Sequence, residues 1–286
     1  MGESDLSRPI IKSERPQEAI VKKKTLYFRM NRLLTNVFNF FYRKGMKYNA
    51  LNSEASLDLL LETEKSYIRF GNGESEILVG LDMATQVYCK ELENALKKII
   101  NEYNHGQNYL VGLTNWRLTQ TVQELKATPG RKAYKVWRFM RYVFWRQGIY
   151  KISMPFLEAD MFRVGSSGLS YEKIELLWKH SPNIIVVYNN EKTYQTFKEV
   201  YRRKNVYFIK IPDKNFYSVL TETQEKIIKL IKEQRMNKKE VVILVSAGPG
   251  SNVLCYNLCK EDNNVLCYDV GNLLYMHFQK NRAVAE

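Results

Sequence analysis

The sequence predicts an α/β fold in which a Rossmann-like, mostly parallel sheet is flanked by helices and preceded by an amphipathic N-terminal helix. Short apolar segments alternate with longer amphipathic segments from about residue 57 onward, which is typical of repeated strand–helix units. The segment 241–245 consists only of valine, isoleucine and leucine, as expected of a strand buried on both faces of a parallel sheet. A chain of 286 residues is long enough to bury a core of this kind.

Apolar periodicity and the glycine, proline and asparagine turns place the elements along the chain. The predicted strands are 66–70, 109–113, 184–188, 206–211, 241–246 and 265–269. The predicted helices are 25–43, 74–80, 89–103, 131–147, 191–203, 221–232 and 252–260. We divide the chain into residues 1–50, a flexible tail followed by an amphipathic basic helix, and residues 51–286, the α/β domain.

The charge of the chain favours an anionic partner. With 44 basic and 30 acidic side chains the net charge is +14, which suits lipid head groups, nucleic acid or a nucleotide-linked substrate. The helix 25–43 has an aromatic apolar side and a basic side, so it can lie in an anionic membrane interface or dock on the protein body. Cations and rings also interleave in the helix 131–147, which would suit nucleic acid. Because no RNA-binding signature, helix-turn-helix pattern or zinc finger occurs, nucleic-acid binding is disfavoured.

Composition also indicates the compartment. The sequence shows no signal-peptide pattern and no run of about 18 apolar residues, which predicts a cytoplasmic protein with peripheral contact at the inner face of the membrane. The four cysteines form no Cys-x-x-Cys pair, which fits a reducing compartment. The three histidines are scattered, so a histidine-based metal site is disfavoured.

A glycine-rich turn follows the apolar strand near residue 245. Gly248 and Gly250 would let backbone amides approach a phosphate, and the next helix points its positive end at the same place. Ser251 could cap that helix or donate to a phosphate oxygen. Asp269 ends the next strand, where an acid holds a ribose hydroxyl in dinucleotide folds. The third glycine of that fingerprint is missing, which disfavours a redox cofactor, and an ordinary strand–helix turn is the alternative.

A second turn with chemical potential follows the first predicted strand. Arg69 lies at the strand end, and Gly71 and Gly73 permit unusual backbone angles. Glu74 and Glu76 lie in the first turn of the following helix, where carboxylates are also favoured as N-terminal charges. In a sugar-nucleotide site, Arg69 would neutralise phosphate and Glu74 would bind a divalent cation or accept a proton. The residues alone leave both interpretations open.

Two further loops carry polar side chains. Glu158 and Asp160 follow Ser153-Met154-Pro155-Phe156 and are either acceptor-binding or base candidates, or surface charges. Asp213 lies in the polar turn after the strand 206–211, and ligands gather at such strand ends in parallel sheets.

The order of these motifs resembles the GT-D fold glycosyltransferases, a bacterial family, over residues 57–276. The matching segments are Arg69-Phe70-Gly71-Asn72-Gly73-Glu74, Gln86-Val87-Tyr88, Leu110-Val111-Gly112-Leu113, Ile211-Pro212-Asp213-Lys214-Asn215-Phe216, Ala247-Gly248-Pro249 and Asp269-Val270-Gly271. The resemblance implies that residues 51–286 transfer a sugar from a nucleotide donor, typically a UDP-sugar, to a glycan, glycoprotein or lipid-linked acceptor. It places the chain in polysaccharide biosynthesis or protein glycosylation.

Two departures from the family pattern bear on its metal chemistry. Asn72 stands where the family has aspartate, and an amide oxygen is a poorer cation ligand than a carboxylate. The family implies Mn²⁺ or Mg²⁺ with Glu74 and Asn72 as ligands, and this replacement puts that requirement in question. The family's Gly-His-x-Asp-x-Glu-Tyr tail is here Gly271-Asn272-Leu273-Leu274-Tyr275, which lacks the histidine and both acids. An altered donor or weakened activity would follow.

The residues and the resemblance together predict one site. Its catalytic residues are Arg69, which would stabilise the leaving phosphate, Glu74 as the essential carboxylate, and Asp160 as the base for the acceptor. The predicted donor-binding residues are Gly71, Asn72, Gly73, Asp213, Gly248, Pro249, Gly250, Ser251, Asp269 and Asn272. Two alternatives remain: a non-catalytic module that binds a sugar nucleotide, suggested by Asn72, and another nucleotide-dependent transferase, suggested by the Ser246-Ala247-Gly248-Pro249 turn.

Overall fold

A computed structural model describes most of the chain. It covers residues 30–31, 33–41, 44–127, 131–163, 167–237, 240–261 and 265–280. The predicted tail of residues 1–24 lies outside the described residues, as does the start of the predicted helix 25–43.

One seven-stranded sheet forms the centre of the molecule. Its strands are β1 (Ser66–Phe70), β2 (Tyr109–Leu113), β3 (Leu157–Glu158), β4 (Asn183–Tyr188), β5 (Asn205–Lys210), β6 (Val241–Val245) and β7 (Leu266–Asp269). They lie in the order β3-β2-β1-β7-β6-β4-β5, and all neighbouring strands of the described sheet pair in parallel. The predicted Rossmann-like α/β architecture is confirmed.

Helices connect and cover the strands. They are α1 (33–41), α2 (Ser53–Thr63), α3 (Asn72–Ile77), α4 (Lys90–Asn101), α5 (Asn115–Leu118), α6 (Val122–Ala127), α7 (Arg131–Arg146), α8 (Tyr171–Lys179), α9 (Glu191–Val200), α10 (Leu220–Glu233) and α11 (Pro249–Glu261). Short 3-10 turns occupy Ile149–Lys151 and Phe216–Val219, and a π-helical turn spans Tyr275–Lys280. α11 packs on β1 and β7, and α9 and α10 pack near β5.

The helix boundaries after α1 differ from the predicted ones by up to three residues, at both starts and ends. α11 begins at Pro249, three residues before the predicted start, because proline is well tolerated in the first helical turn. α3 begins at Asn72 and ends at Ile77, two residues earlier at its start and three at its end than predicted. The two-residue strand β3 and the helices α2, α5, α6 and α8 were not predicted, since each is too short or too weakly periodic to stand out.

Burial explains why the central strands are so apolar. Every residue of β4 and β6 is buried, because neighbouring strands and covering helices exclude water from both faces. Gly112 in β2 is required by the packing of a ring, since a Cβ there would lie 2.2 Å from the Tyr67 hydroxyl oxygen. That hydroxyl donates to the backbone oxygen of Glu158 at 3.1 Å. The contact ties the end of β3 to β1 and β2.

The helix α1 docks on the protein body through its polar side. Asn31, Thr35, Phe38 and Asn39 are buried, and the Asn39 amide donates to the Arg138 carbonyl oxygen of α7 at 3.1 Å. The apolar side faces outward: the exposed side chains are Met30, Leu33, Leu34, Val37, Phe40 and Phe41. The helix therefore docks on the protein body, which is one of the two predicted placements. Its apolar side remains exposed among the described residues.

The second basic helix, α7, is more internal than its sequence suggests. Met140, Val143 and Phe144 are fully buried, and so is Arg141. Burial disfavours the charged guanidinium and lowers the pKa of Arg141, and the nearby Arg138 lowers it further. Within the part of the chain that the structure describes, none of the helices combines the length and the apolar character that crossing a bilayer requires.

Candidate active site

The carboxyl ends of the central strands open onto a cavity of about 360 Å³, here called the Arg69 cavity. Residues that follow β1, β4, β5, β6 and β7 form its walls. Eight of the predicted site residues line it: Arg69, Asn72, Gly73, Glu74, Asp213, Gly248, Asp269 and Asn272. Since β1 and β7 pair at Tyr67 and Tyr268, residues about 200 positions apart in sequence meet here.

Four other predicted residues lie behind this wall. Gly71 is the N-cap of α3, and Pro249, Gly250 and Ser251 form the buried first turn of α11. A Cβ at Gly250 would lie 2.4 Å from a ring carbon of Phe216, so this glycine lets the Phe216 ring reach the cavity wall. The Ser251 hydroxyl accepts the backbone N–H of Ala247 at 2.8 Å, which makes it part of the turn. The structure does not bring these side chains to the cavity.

Glu74 is both a helix-start carboxylate and a cavity residue. It is 4% exposed, and its Oε2 accepts the Gly71 backbone N–H at 2.6 Å, which satisfies an amide that α3 leaves without an internal partner. The two interpretations of this carboxylate at the sequence level are therefore compatible. The same bond fixes the turn between β1 and α3.

Arg69 is the cation at the centre of the site. Its Nε donates to the Ala159 carbonyl oxygen at 2.9 Å, and its Nη2 lies 3.8 Å from Asp160 Oδ1. Burial disfavours the charged guanidinium, but the carboxylates of Glu74, Asp269 and Asp160 outweigh it and raise the pKa of Arg69 above its ordinary value. The side chain is 16% exposed, so a fixed positive charge faces the cavity.

Asp269 lies at the end of β7 on the opposite side of Arg69. It is 3% exposed, and one carboxylate oxygen accepts the Gly271 backbone N–H at 3.0 Å. Burial raises the pKa of Asp269 to about 7; the Arg69 charge lowers it and Glu74 raises it. The carboxyl therefore changes charge close to neutral pH.

Asn72 is held at the start of α3 with one oxygen unused. Its Nδ2 donates to Glu76 Oε1 at 3.2 Å, whereas its Oδ1 is buried and accepts no hydrogen bond from the described residues. Asn189, at the end of β4, lines the same cavity and also has a buried Oδ1 with no such partner among them. Buried acceptors without donors are costly, so both oxygens suit the hydroxyl or N–H groups of a ligand.

The predicted metal ligands do not form a recognisable metal site. Among the described residues, no group of three or more His, Cys, Asp or Glu side chains could hold a metal ion. The two predicted ligands at this turn are the Glu74 carboxylate, already bound to the Gly71 amide, and the Asn72 amide oxygen; the nearby Glu76 carboxylate accepts the Asn72 amide N–H. These residues do not fit a resident Mn²⁺ or Mg²⁺ site, and no chemical step below depends on one.

Two loops are tied together at the rim of the cavity. Asn215, with a positive φ of 57°, donates its backbone N–H to the Thr85 carbonyl oxygen at 2.8 Å. Its Oδ1 accepts the Val87 N–H at 2.8 Å, and Gln86 Oε1 accepts the Tyr217 N–H at 3.2 Å. These three hydrogen bonds fix the segment that carries Asp213 and Phe216, both of which line the cavity.

Asp160 does not line the Arg69 cavity but lies behind it, on a second one. This second cavity, here called the Trp116 cavity, has a volume of about 400 Å³ and contains Glu158, Asp160 and Trp116 in its wall. Asp160 Oδ1 lies 3.8 Å from Arg69 Nη2 and 3.1 Å from Arg163 Nε, and both arginines line the Arg69 cavity. Asp160 therefore lies between the two cavities.

Glu158 is the more buried of the two carboxylates. Its side chain accepts the Trp116 N–H at 3.0 Å and the Asp160 N–H at 3.1 Å. Burial raises the pKa of Glu158 to about 7, while those two backbone N–H groups and the Arg69 charge lower it and Asp160 raises it. Glu158 thus holds the backbone of Asp160 in place.

Sequence reasoning missed several residues of the Arg69 cavity. Arg163, Tyr188, Asn189, Met83 and Thr85 all line it. Tyr188 and Asn189 could have been found, because they end a strand of a parallel sheet, where ligands gather. Met83 and Thr85 carry no such signal, since their loop is held at the cavity by hydrogen bonds to Asn215, which is distant in sequence.

Comparison with known proteins adds a family. A model described as "Glycosyltransferase GT-D fold" matches residues 67–283. The probable glycosyl transferase Gly of Streptococcus gordonii is 25% identical over 230 residues, which are 79% of this chain and 32% of that protein. The glycosyltransferase GlyD of Streptococcus pneumoniae serotype 4 is 24% identical over 228 residues, 77% of this chain and 26% of that protein. The chain spans about a third or less of the length of these curated relatives.

Solved structures agree on the architecture. The structure of a glycosyltransferase (DUF1792) from Streptococcus sanguinis matches with a TM-score of 0.62 at 20% identity, over 82% of this chain and 86% of that one. A structure described as the highly conserved domain of unknown function 1792 with a distinct glycosyltransferase fold matches with a TM-score of 0.61 at 18% identity, over 89% and 86%. At these identities the likeness shows the fold.

Proposed function

The chain belongs to the glycosyltransferase GT-D fold family, and from this premise we propose that it moves a sugar from a nucleotide-sugar donor, a UDP-sugar, to a hydroxyl of a glycan or glycoprotein. The observation that carries the proposal is the position of Arg69. This half-buried cation faces the Arg69 cavity and also contacts Asp160, the carboxylate that faces the second cavity. A donor and an acceptor bound in the two cavities would therefore meet at one cation–carboxylate pair.

In this proposal the Arg69 cavity binds the donor. The diphosphate would lie between Arg69, the start of α3 at Gly73 and the positive-φ turn at Gly248, where a cation and backbone amides can face it. The unused oxygens of Asn72 and Asn189 would accept hydrogen bonds from hydroxyl or N–H groups of the donor. In the proposal Asp269 and Asn272, on the same wall, and Asp213, at the rim, also contact the nucleotide-sugar.

The transfer step needs a proton acceptor and a stabilised leaving group. The acceptor hydroxyl oxygen forms a bond to the anomeric carbon of the donor, and its proton goes to the Asp160 carboxylate. The bond from that carbon to the phosphate oxygen breaks, and the electron pair leaves with the nucleoside diphosphate. Negative charge builds on the leaving phosphate, so the fixed Arg69 guanidinium would stabilise the transition state more than the ground state. Glu74 is the essential carboxylate in the sense that it fixes the turn and the charge of Arg69.

A donor assay tests this function. We expect purified protein to release UDP from at least one UDP-sugar. Arg69→Met should lower this release by about 10²-fold or more, whereas a surface variant such as Lys229→Gln should leave it unchanged. Running the assay with and without Mn²⁺ tests the family's metal requirement at the same time.

The departures at Asn72 and Asn272 favour one rival, a module that binds a sugar nucleotide without turnover. UDP binding by calorimetry, combined with no release from any UDP-sugar with or without Mn²⁺, would support the module and refute the enzyme. Consumption of ATP without consumption of UDP-sugar would instead point to another nucleotide-dependent transferase.

The proposal includes contact with an anionic membrane surface, which would bring the enzyme close to a lipid-linked acceptor. It is supported by the outward apolar side of α1, where Leu33, Phe40 and Phe41 are 63%, 62% and 74% exposed. Flotation with phosphatidylglycerol liposomes tests it. The Phe40→Ser, Phe41→Ser double variant should lose flotation, whereas Val200→Ser, which changes an equally exposed apolar residue elsewhere, should not. Equal flotation of all three proteins would refute membrane contact through α1.

A further inference from the structure

The Trp116 cavity has the composition of a sugar-binding pocket. Its wall is built from residues 50–53, from the start of α5, and from the loop that carries Glu158 and Asp160. Pockets for small ligands combine an aromatic or apolar surface with a few polar groups that fix orientation. Here the aromatic surface is Trp116, and the polar groups are two carboxylates, amides and hydroxyls.

Trp116 is exposed but held firmly. Its backbone N–H donates to Glu158 and its indole Nε1 donates to Asp160 Oδ2 at 3.2 Å. The Arg117 guanidinium carbon lies 3.0 Å from the centroid of the indole ring, so a cation stacks against it. The side chain is nevertheless 42% exposed. A large ring fixed by three contacts and still accessible gives a ligand contact area at little cost in conformational entropy.

The neighbouring amide braces the pocket. Asn115 donates to the carbonyl oxygens of Leu51 and Phe156, at 2.9 Å and 2.6 Å, and accepts the Tyr48 hydroxyl at 2.8 Å. With these bonds Asn115 holds the segment before α2 against the start of β3. Hydrogen bonds between separate parts of the fold therefore fix the wall at Asn115.

Charge selects the class of ligand. The charged side chains among the described residues of the wall are Glu158 and Asp160, both carboxylates. Three guanidinium groups lie close to this wall: Arg69 and Arg163 contact Asp160, and Arg117 stacks on the indole. The opposite charges largely offset each other, so a neutral polyhydroxylated ring can stack on the indole and donate hydroxyl protons to carboxylate oxygens. The raised pKa of Glu158 further limits the net charge of the wall near neutral pH, which favours a neutral ligand.

We propose that the Trp116 cavity is the acceptor site, and that it takes a neutral, unphosphorylated glycosyl unit with its ring on Trp116 and its reactive hydroxyl on Asp160. The inference rests on the proposed glycosyl transfer and names the acceptor side of that reaction. Asp160 supplies the connection, since it bonds the indole on one side and lies 3.8 Å from Arg69 of the donor cavity on the other.

Saturation-transfer NMR of the full chain with UDP present tests the assignment. The probes are the methyl β-glycosides of glucose, galactose and N-acetylglucosamine. We expect at least one to receive saturation from the wild-type protein, with a dissociation constant raised tenfold or more by Trp116→Ala. Trp116→Phe, which keeps an aromatic surface, should retain most of the binding. Tyr150→Ala removes an aromatic side chain of similar exposure, 44%, away from the cavity, and should leave it unchanged.

The outcomes separate this inference from the proposed function. Glycoside binding that Trp116→Ala weakens while UDP affinity measured by calorimetry is kept supports the acceptor site. If UDP binds but no glycoside does, or if glycoside binding is indifferent to Trp116→Ala, the acceptor site is wrong and the donor cavity stands. Failure of the wild-type protein to bind UDP refutes the proposed function, and the acceptor assignment with it.

Discussion

Removal of the Arg69 charge is the most informative perturbation of this site. Arg69→Met keeps an unbranched apolar stem but takes away the cation and the donor to Ala159. At 3.8 Å from Asp160, the attraction is about 4 kcal/mol at an effective dielectric constant of about 20. Breaking one partner out of a buried ion pair typically costs about 3–5 kcal/mol. We therefore expect the free energy of unfolding to fall by about 3 kcal/mol at pH 8.

The size of this loss should depend on pH. Burial raises the pKa of Asp269 and of Glu158 to about 7, and the Arg69 charge lowers both, so the pKa values rise further without it. Near pH 5.5 both carboxyls are protonated with or without Arg69, so the Arg69 guanidinium has less negative charge to stabilise. Above pH 7 both carboxyls are ionised in the unfolded chain, and the folded variant must either ionise them without the cation or hold their protons, both of which cost free energy. The destabilisation by Arg69→Met should therefore be smaller at pH 5.5 than at pH 8.

Urea unfolding at both pH values and UDP release from a UDP-sugar are the two measurements. In turnover we expect a fall of kcat by about 10²-fold or more, as for the loss of a transition-state charge contact. Arg69→Lys is the matched control: it keeps the charge but cannot bond Ala159 and Asp160 with one rigid group, so it should keep most of the stability and only part of the activity. Equal destabilisation at pH 5.5 and pH 8, together with unchanged kcat, would refute both the electrostatic argument and the role of Arg69.

Three further perturbations give clear expectations. Gly250→Ala should destabilise the protein by about 1–3 kcal/mol in urea unfolding, because a Cβ 2.4 Å from a Phe216 ring carbon forces that ring to move. Burial raises the pKa of Asp269 from its ordinary value to about 7 in the folded protein. The folded state therefore binds this proton more tightly than the unfolded chain does, and the free energy of unfolding should fall as pH rises from the ordinary pKa through about 7. The fall should be smaller in Asp269→Asn. Asn72→Asp should raise Mn²⁺ affinity in calorimetry, since a carboxylate replaces an unpartnered amide oxygen beside Glu76.

Much of the fold could be predicted from the sequence because its signals are local. The five-residue apolar run of β6 indicates a buried strand, and the glycine turns after β1 and β6 indicate where those strands end. Neither signal needs tertiary information. The strands 66–70 and 109–113 have the predicted bounds. β3 could not be predicted, because its two residues form a strand only through pairing with Gly112 and Leu113.

The site was predictable to the extent that motifs mark strand ends. Arg69, Glu74 and Asp269 line the predicted cavity because each follows or ends a strand at the carboxyl edge of the sheet. The position of Asp160 beside Arg69 was not predictable, since it depends on β3 pairing at the far edge of the sheet. The role of Ser251 was open in the sequence, and only the 2.8 Å bond from Ala247 shows that it stabilises the turn.

The order of the strands explains why one arginine can serve two cavities. From β1 the chain runs outward to β2 and β3, and then crosses to β4 on the other half of the sheet, before returning inward through β6 to β7 beside β1. Arg69 therefore lies near the carboxyl end of β1, the strand at which the two halves meet. The half made of β1, β2 and β3 supplies Asp160 and Glu158, and the half made of β4, β5, β6 and β7 supplies Asp269 and Gly248. Because the order of strand connections reverses between β1 and β7, residues from both halves of the sheet meet at the carboxyl end of β1, and the Arg69 side chain lies between the two cavities.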